Sequence, residues 1–129
     1  MSAPVWLERD AILAIHAEAL AEHGGAPGLR DEGMLESALA RPQNRFACEG
    51  TTDLVALAAA SAFGLARNHL FADGNKRAAF VAAALFVEAN GRRVEAPPDE
   101  TIAAMLSLAA GETTEAEFAA WLGARSRPR

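Results

Sequence analysis

His69-Leu70-Phe71-Ala72-Asp73-Gly74-Asn75-Lys76-Arg77 is the stretch that decides how this chain is read. An apolar segment of helical character ends at Asn68, and a second begins with this string and runs to about Asn90. The string therefore predicts a loop that feeds directly into a helix N-terminus. Backbone N–H groups in a first helical turn lack partners inside the helix, and the helix dipole favours negative charge there. Gly74 lets the backbone approach a ligand closely, and Lys76 and Arg77 add positive charge. His69 supplies a titratable imidazole. Together these residues predict a phosphate cradle with a general base on its rim.

By residue type alone, an ordinary loop with a helix cap stands beside that reading. The string is not a P-loop, because Gly74 has neither the preceding glycine nor the Lys-Ser/Thr ending. A zinc site needs more His or Cys than the region offers. Density favours the cradle: Asp73, Asn75, Lys76 and Arg77 all suit a metal–phosphate ligand, and all fall at one helix end.

Outward from the motif, the chain reads as helices. Leu54, Leu57, Ala58, Ser61 and Leu65 give one apolar face of a helix over Asp53 to Asn68, and Val55, Ala59, Ala62, Phe63 and Ala66 give another. A helix apolar on most sides is buried. After the motif, Phe80, Val81, Ala84, Leu85 and Val87 continue the second central helix to a stop at Asn90-Gly91. Leu7 to His23 carries a helical stripe that includes His16, best read as a satisfied core histidine. Asp31 is positioned to cap a helix running to Ala40, with Met34, Leu35, Ala38 and Leu39 inward and Pro42 ending it. Pro42 to Thr52 has no period and predicts a loop. Asp99 to Ala110 is helical, with Ile102, Met105, Leu106 and Ala109 at helical spacing. Thr114 and Glu117 form a capping box ahead of Phe118, Trp121 and Leu122. The expected fold is all-α, one domain over 1–129 with about six helices, its basic tail over 124–129 frayed.

Composition narrows the function. Of 129 residues, 51% are hydrophobic and 22% charged, which is globular. Twelve Lys and Arg against 17 Asp and Glu leave a net charge of −5, which argues against a chain built to grip nucleic acid. A single cysteine, Cys48, excludes an internal disulfide. No signal peptide or membrane span is legible, so a cytoplasmic, soluble protein is expected.

The motif His-x-Phe-x-Asp-Gly-Asn-Lys-Arg resembles the signature of the Fic/Doc superfamily, and specifically its Doc (death-on-curing) toxin branch. Fic proteins carry glycine where this chain has Lys76, whereas Doc proteins carry the lysine. His16, Gly24-Gly25, Gly28-Leu29-Arg30-Asp31 and Leu35 to Pro42 follow Doc-like order, so the resemblance covers nearly the whole chain. One departure is Ala78, where Doc proteins usually have threonine.

The resemblance implies a toxin of a toxin–antitoxin pair, a Ser/Thr kinase using ATP and Mg²⁺. His69 would be the general base, Asp73 the Mg²⁺ ligand, and Gly74 with Asn75 the anion hole. Lys76 and Arg77 would neutralise the reacting phosphates. Pro42 to Thr52 would be a flap holding the target segment. The implied target is elongation factor Tu, and the implied partner is an antitoxin whose disordered segment folds as a helix into an apolar groove. A Fic-like AMP transferase is the alternative enzyme. An inactive helical module that only binds a partner is the alternative of another class.

Overall fold

Two alanine-rich helices, α3 (Leu54–Arg67) and α4 (Asn75–Ala89), pack along one another at the centre of the molecule. Ala58, Ala59, Ala60, Ala62 and Ala66 of α3 and Ala78, Ala79, Ala82 and Ala83 of α4 are all buried. Alanine has a high helix propensity and little side-chain bulk, so such faces let helices approach closely. The computed structural model describes residues 3–25, 28–29, 31–67 and 75–128, with residue 23 described by its backbone only.

The other helices cover this pair. α1 (Arg9–His23) lies on α4, α2 (Glu32–Glu49) and α6 (Glu115–Ala124) lie on α3, and α5 (Pro98–Ala110) touches both. Ile12, Leu35, Leu57, Leu108, Phe118 and Leu122 are fully buried between these layers. Each such side chain contributes about 1.5–3 kcal/mol, against roughly 0–1 kcal/mol for an exposed ion pair such as Arg93–Glu95. Packing therefore sets the frame. His16 is buried on α1, where the core reading placed it, and no buried side-chain polar atom among the described residues lacks a hydrogen-bond partner.

The caps follow local chemistry. The Asp31 carboxylate accepts the Met34 N–H at 3.0 Å, opening α2. Thr114 Oγ1 accepts the Glu117 N–H at 3.0 Å while Glu117 Oε1 accepts the Thr114 N–H at 2.9 Å, a complete capping box.

Three expectations give way to the tertiary structure. Pro42 does not end α2; the helix runs on to Glu49 and stops at Gly50, whose φ of 72° suits glycine. An internal proline costs about 3 kcal/mol, but Pro42 is buried here, and continuation lets Phe46 meet Trp6 and Arg45 reach Glu115. Only Gly50 to Asp53 separate α2 from α3, so most of the expected flap is helix. Second, within the tail expected to be frayed, β2 (Ser126–Pro128) pairs antiparallel with β1 (Arg92–Val94), Val94 opposite Ser126. Arg92 secures it by donating to Ser126 Oγ at 2.7 Å. Third, Met34 is not inward but 42% exposed.

Close approach also explains one glycine. A Cβ at Gly64 of α3 would lie 3.3 Å from the Ala38 backbone of α2, tighter than ordinary packing allows.

Candidate active site

α3 ends at Arg67, two residues before the motif begins, and the last three residues of the motif open α4. Asn75, Lys76 and Arg77 are the first three residues of α4, so the cations occupy the turn where unpartnered N–H groups gather. This is the position the sequence assigned them. His69, Asp73 and Gly74, the expected base, metal ligand and anion-hole glycine, lie outside the described residues, as does Phe71.

Lys76 and Arg77 are exposed, and neither is within 4.0 Å of a carboxylate oxygen among the described residues. Two exposed cations in the first turn of a helix make that end of α4 locally positive. A polyphosphate fits that donor set. Among the described residues no cluster of three His, Cys, Asp or Glu could hold a metal.

From these cations a groove of ≈ 520 Å³ runs between α4 and α5, with Glu22 of α1 on its rim. Phe80 and Val81 form one wall; Ile102, Met105 and Leu106 form the other. Ile102 and Leu106 are 57% and 52% exposed, whereas Met105, on the same helical spacing, is buried. A signal was present in the sequence of α4, where alanines take the core face and the bulky Phe80, Val81 and Leu85 remain partly or largely open. Ala78, at the usual Doc threonine position, is buried with the core alanines and is not part of the groove lining.

A larger hollow of ≈ 740 Å³ lies between α2 and α6. Its arginines are already committed: Arg41 Nε donates to Glu115 Oε1 at 3.0 Å, and Arg45 reaches Glu115 Oε2. That three-way pairing ties α2 to the start of α6 and leaves no open cation for a ligand.

Comparison with known proteins bears on the family. The family model described as "Fic/DOC family" matches residues 6–87, which spans α1 to most of α4. The chain is 39% identical over 88 residues to "Protein kinase doc" of Escherichia phage P1, covering 68% of this chain and 70% of that protein. It is also 39% identical over 95 residues to "Toxin Doc" of Mycolicibacterium smegmatis, covering 73% and 71% respectively. With the helical fold, the cation-bearing start of α4 and these matches in hand, this chain belongs to the Fic/Doc family.

Proposed function

We propose that this protein is the toxin of a toxin–antitoxin pair and transfers the γ-phosphate of ATP to a Ser or Thr hydroxyl of a translation protein, with elongation factor Tu the expected target. The observation that carries this reading is Lys76, exposed in the first turn of α4 beside Arg77 and bordering the groove. A glycine at that position leaves room for a diphosphate to lie along the helix N-terminus with its α-phosphate foremost. Lysine fills the space and offers a positive charge where a terminal phosphate can dock.

In the reaction, His69 takes the proton of the acceptor hydroxyl as its oxygen bonds to the γ-phosphorus. The bond from the γ-phosphorus to the bridging oxygen breaks, and ADP leaves. His69 must be neutral beforehand, and its cationic sequence neighbours Lys76 and Arg77 disfavour a further positive charge. The same two side chains neutralise charge that spreads over the phosphoryl oxygens in the transition state. Gly74 and Asn75 supply backbone N–H groups to the phosphates. Asp73 would hold Mg²⁺, which when bound adds charge neutralisation at the phosphate oxygens.

The groove between α4 and α5 suits the antitoxin. Ile102 and Leu106 lie one turn apart on α5 and leave apolar surface open, which an amphipathic helix covers with its own apolar face. Such a helix would end beside Lys76 and Arg77, so one partner both fills the groove and obstructs the cradle.

The test uses ATP labelled at the α- or γ-position, with Mg²⁺ and a bacterial lysate. Label enters a protein band from γ-labelled ATP only. Transfer from α-labelled ATP makes the protein an AMP transferase instead, and transfer from neither leaves a binding module.

A further inference from the structure

Lys76 and Phe80 stand four residues apart on α4, as do Arg77 and Val81, so each cation has an apolar side chain one turn behind it on the same helix face. All four line the groove between α4 and α5. Phe80 is the one aromatic ring among its described lining residues. It is half-buried and packs against the core cluster, which steadies the ring at the groove wall. On the α5 wall Met105 is buried, whereas Ile102 and Leu106 are more than half exposed. At ≈ 520 Å³ the groove falls within the range of about 300–1,000 Å³ that small-molecule sites occupy. Positive charge at one end and a flat apolar face one turn further on match a ligand with the same division.

We infer that the groove is the nucleoside subsite of the triphosphate: a purine base lies against the Phe80 ring while the phosphates meet Lys76 and Arg77. This rests on the group-transfer reading above, and adds which nucleotides the site accepts. Charge complementarity sets the direction of the ligand. Phosphates gain from the first turn of α4, and the base gains by leaving water for an aromatic face. The reverse placement would set a polyanion against Phe80, Val81 and Met105 without a counter-charge. Base selection follows from the lining. The Thr101 hydroxyl already donates to the Pro97 carbonyl at 3.1 Å, and no other hydroxyl or amide side chain is among the described lining residues. Ring area therefore decides, so purines outrank pyrimidines while adenine and guanine are held alike. A partner helix lying across Ile102 and Leu106 covers the same groove, so that helix and the nucleoside exclude one another.

The test is titration calorimetry in Mg²⁺ without acceptor protein, using ATP, GTP, CTP and inorganic tripolyphosphate, with melting curves on every variant. Wild type should bind ATP and GTP within about threefold of each other, and tripolyphosphate about tenfold to a hundredfold more weakly. CTP should fall between. Phe80→Ala should bind ATP no more tightly than tripolyphosphate, and should bind tripolyphosphate as wild type does. Phe80→Leu keeps the bulk that packs on the core and loses the flat face, so its Tm should stay within a few degrees of wild type. Its affinity for ATP should lie between those of wild type and Phe80→Ala. Tripolyphosphate binding as tightly as ATP to wild type overturns the inference, because the base is then not held. So does CTP binding as tightly as ATP, or a loss in the Phe80 variants that is equal for ATP and tripolyphosphate. If wild type binds none of the four, the group-transfer reading fails first and this inference falls with it.

Discussion

Asn90, just past the end of α4, clasps the backbone of Val5, 85 residues earlier. Its Oδ1 accepts the Val5 N–H at 2.7 Å, and its Nδ2 donates to the Val5 carbonyl at 3.0 Å. The clasp fixes the chain where Trp6 stacks on Phe86 and meets the edge of Phe46, both at 5.7 Å between centroids. The segment before α1 is thereby tied to α2 and α4. The Asn90 Nδ2 also donates to the Phe86 carbonyl at 2.8 Å, so Asn90→Ala removes three hydrogen bonds and should cost about 1.5–4.5 kcal/mol. Urea unfolding measures it; an unchanged midpoint would show that the aromatic stack alone holds the segment.

His69 is the residue on which transfer should depend most. His69→Ala should reduce phosphate transfer by at least about a hundredfold, the usual share of a general base. Growth arrest on expression should disappear while Tm stays near wild type. A variant that remains toxic at equal expression would remove His69 from the mechanism.

Lys76 is exposed on the first turn of α4, so its replacement should spare the fold, and on the proposed reading its charge acts on phosphate. Lys76→Ala should lower kcat/KM for γ-phosphate transfer by about a hundredfold to a thousandfold with little change in stability. Equal rates for variant and wild type would mean that Arg77 and the helix N-terminus suffice.

The groove offers a separate handle. Ile102→Glu and Leu106→Glu place charge on surface that is already exposed, so both variants should fold. Each should weaken antitoxin binding by about tenfold to a hundredfold, matching the loss of one buried apolar side chain, and leave labelling of the acceptor intact. Titration by calorimetry checks the first, and unchanged affinity would place the antitoxin on another face.

Acid should reach the start of α6 in a defined direction. The Thr114 backbone N–H, then its hydroxyl, holds the Glu117 carboxyl below its ordinary pKa. A carboxylate with a lowered folded pKa stabilises the fold above the unfolded pKa, and that contribution disappears as pH falls through the folded value. The Tm advantage of wild type over Glu117→Gln should therefore be full near neutrality and shrink below about pH 4.5. A constant difference across that range would mean that hydrogen bonding without charge explains the cap.

Features set by nearest neighbours along the chain were legible beforehand. Asp31 before α2 and the Thr114–Glu117 box before α6 act within three residues of themselves, so their geometry hardly depends on the rest of the fold. The buried character of α3, the start of α4 at the motif and the placement of Asn75, Lys76 and Arg77 belong to the same class.

Other features needed partners distant in sequence. Pro42 signals a break by its own chemistry, yet its burial and the contacts of Arg45 with Glu115 and Phe46 with Trp6 carry α2 past it. The tail reads as polar and basic, and pairs with β1 only because α6 delivers it there. Period alone set Ile102, Met105 and Leu106 at one helical spacing, but which apolar residues are covered depends on what lies across them: Met105 is buried, while Ile102 and Leu106 stay exposed. By itself the sequence determined where most helices start and which residues carry charge at the motif. The tertiary structure decided which apolar faces meet, because burial is a property of pairs of surfaces and not of either one alone.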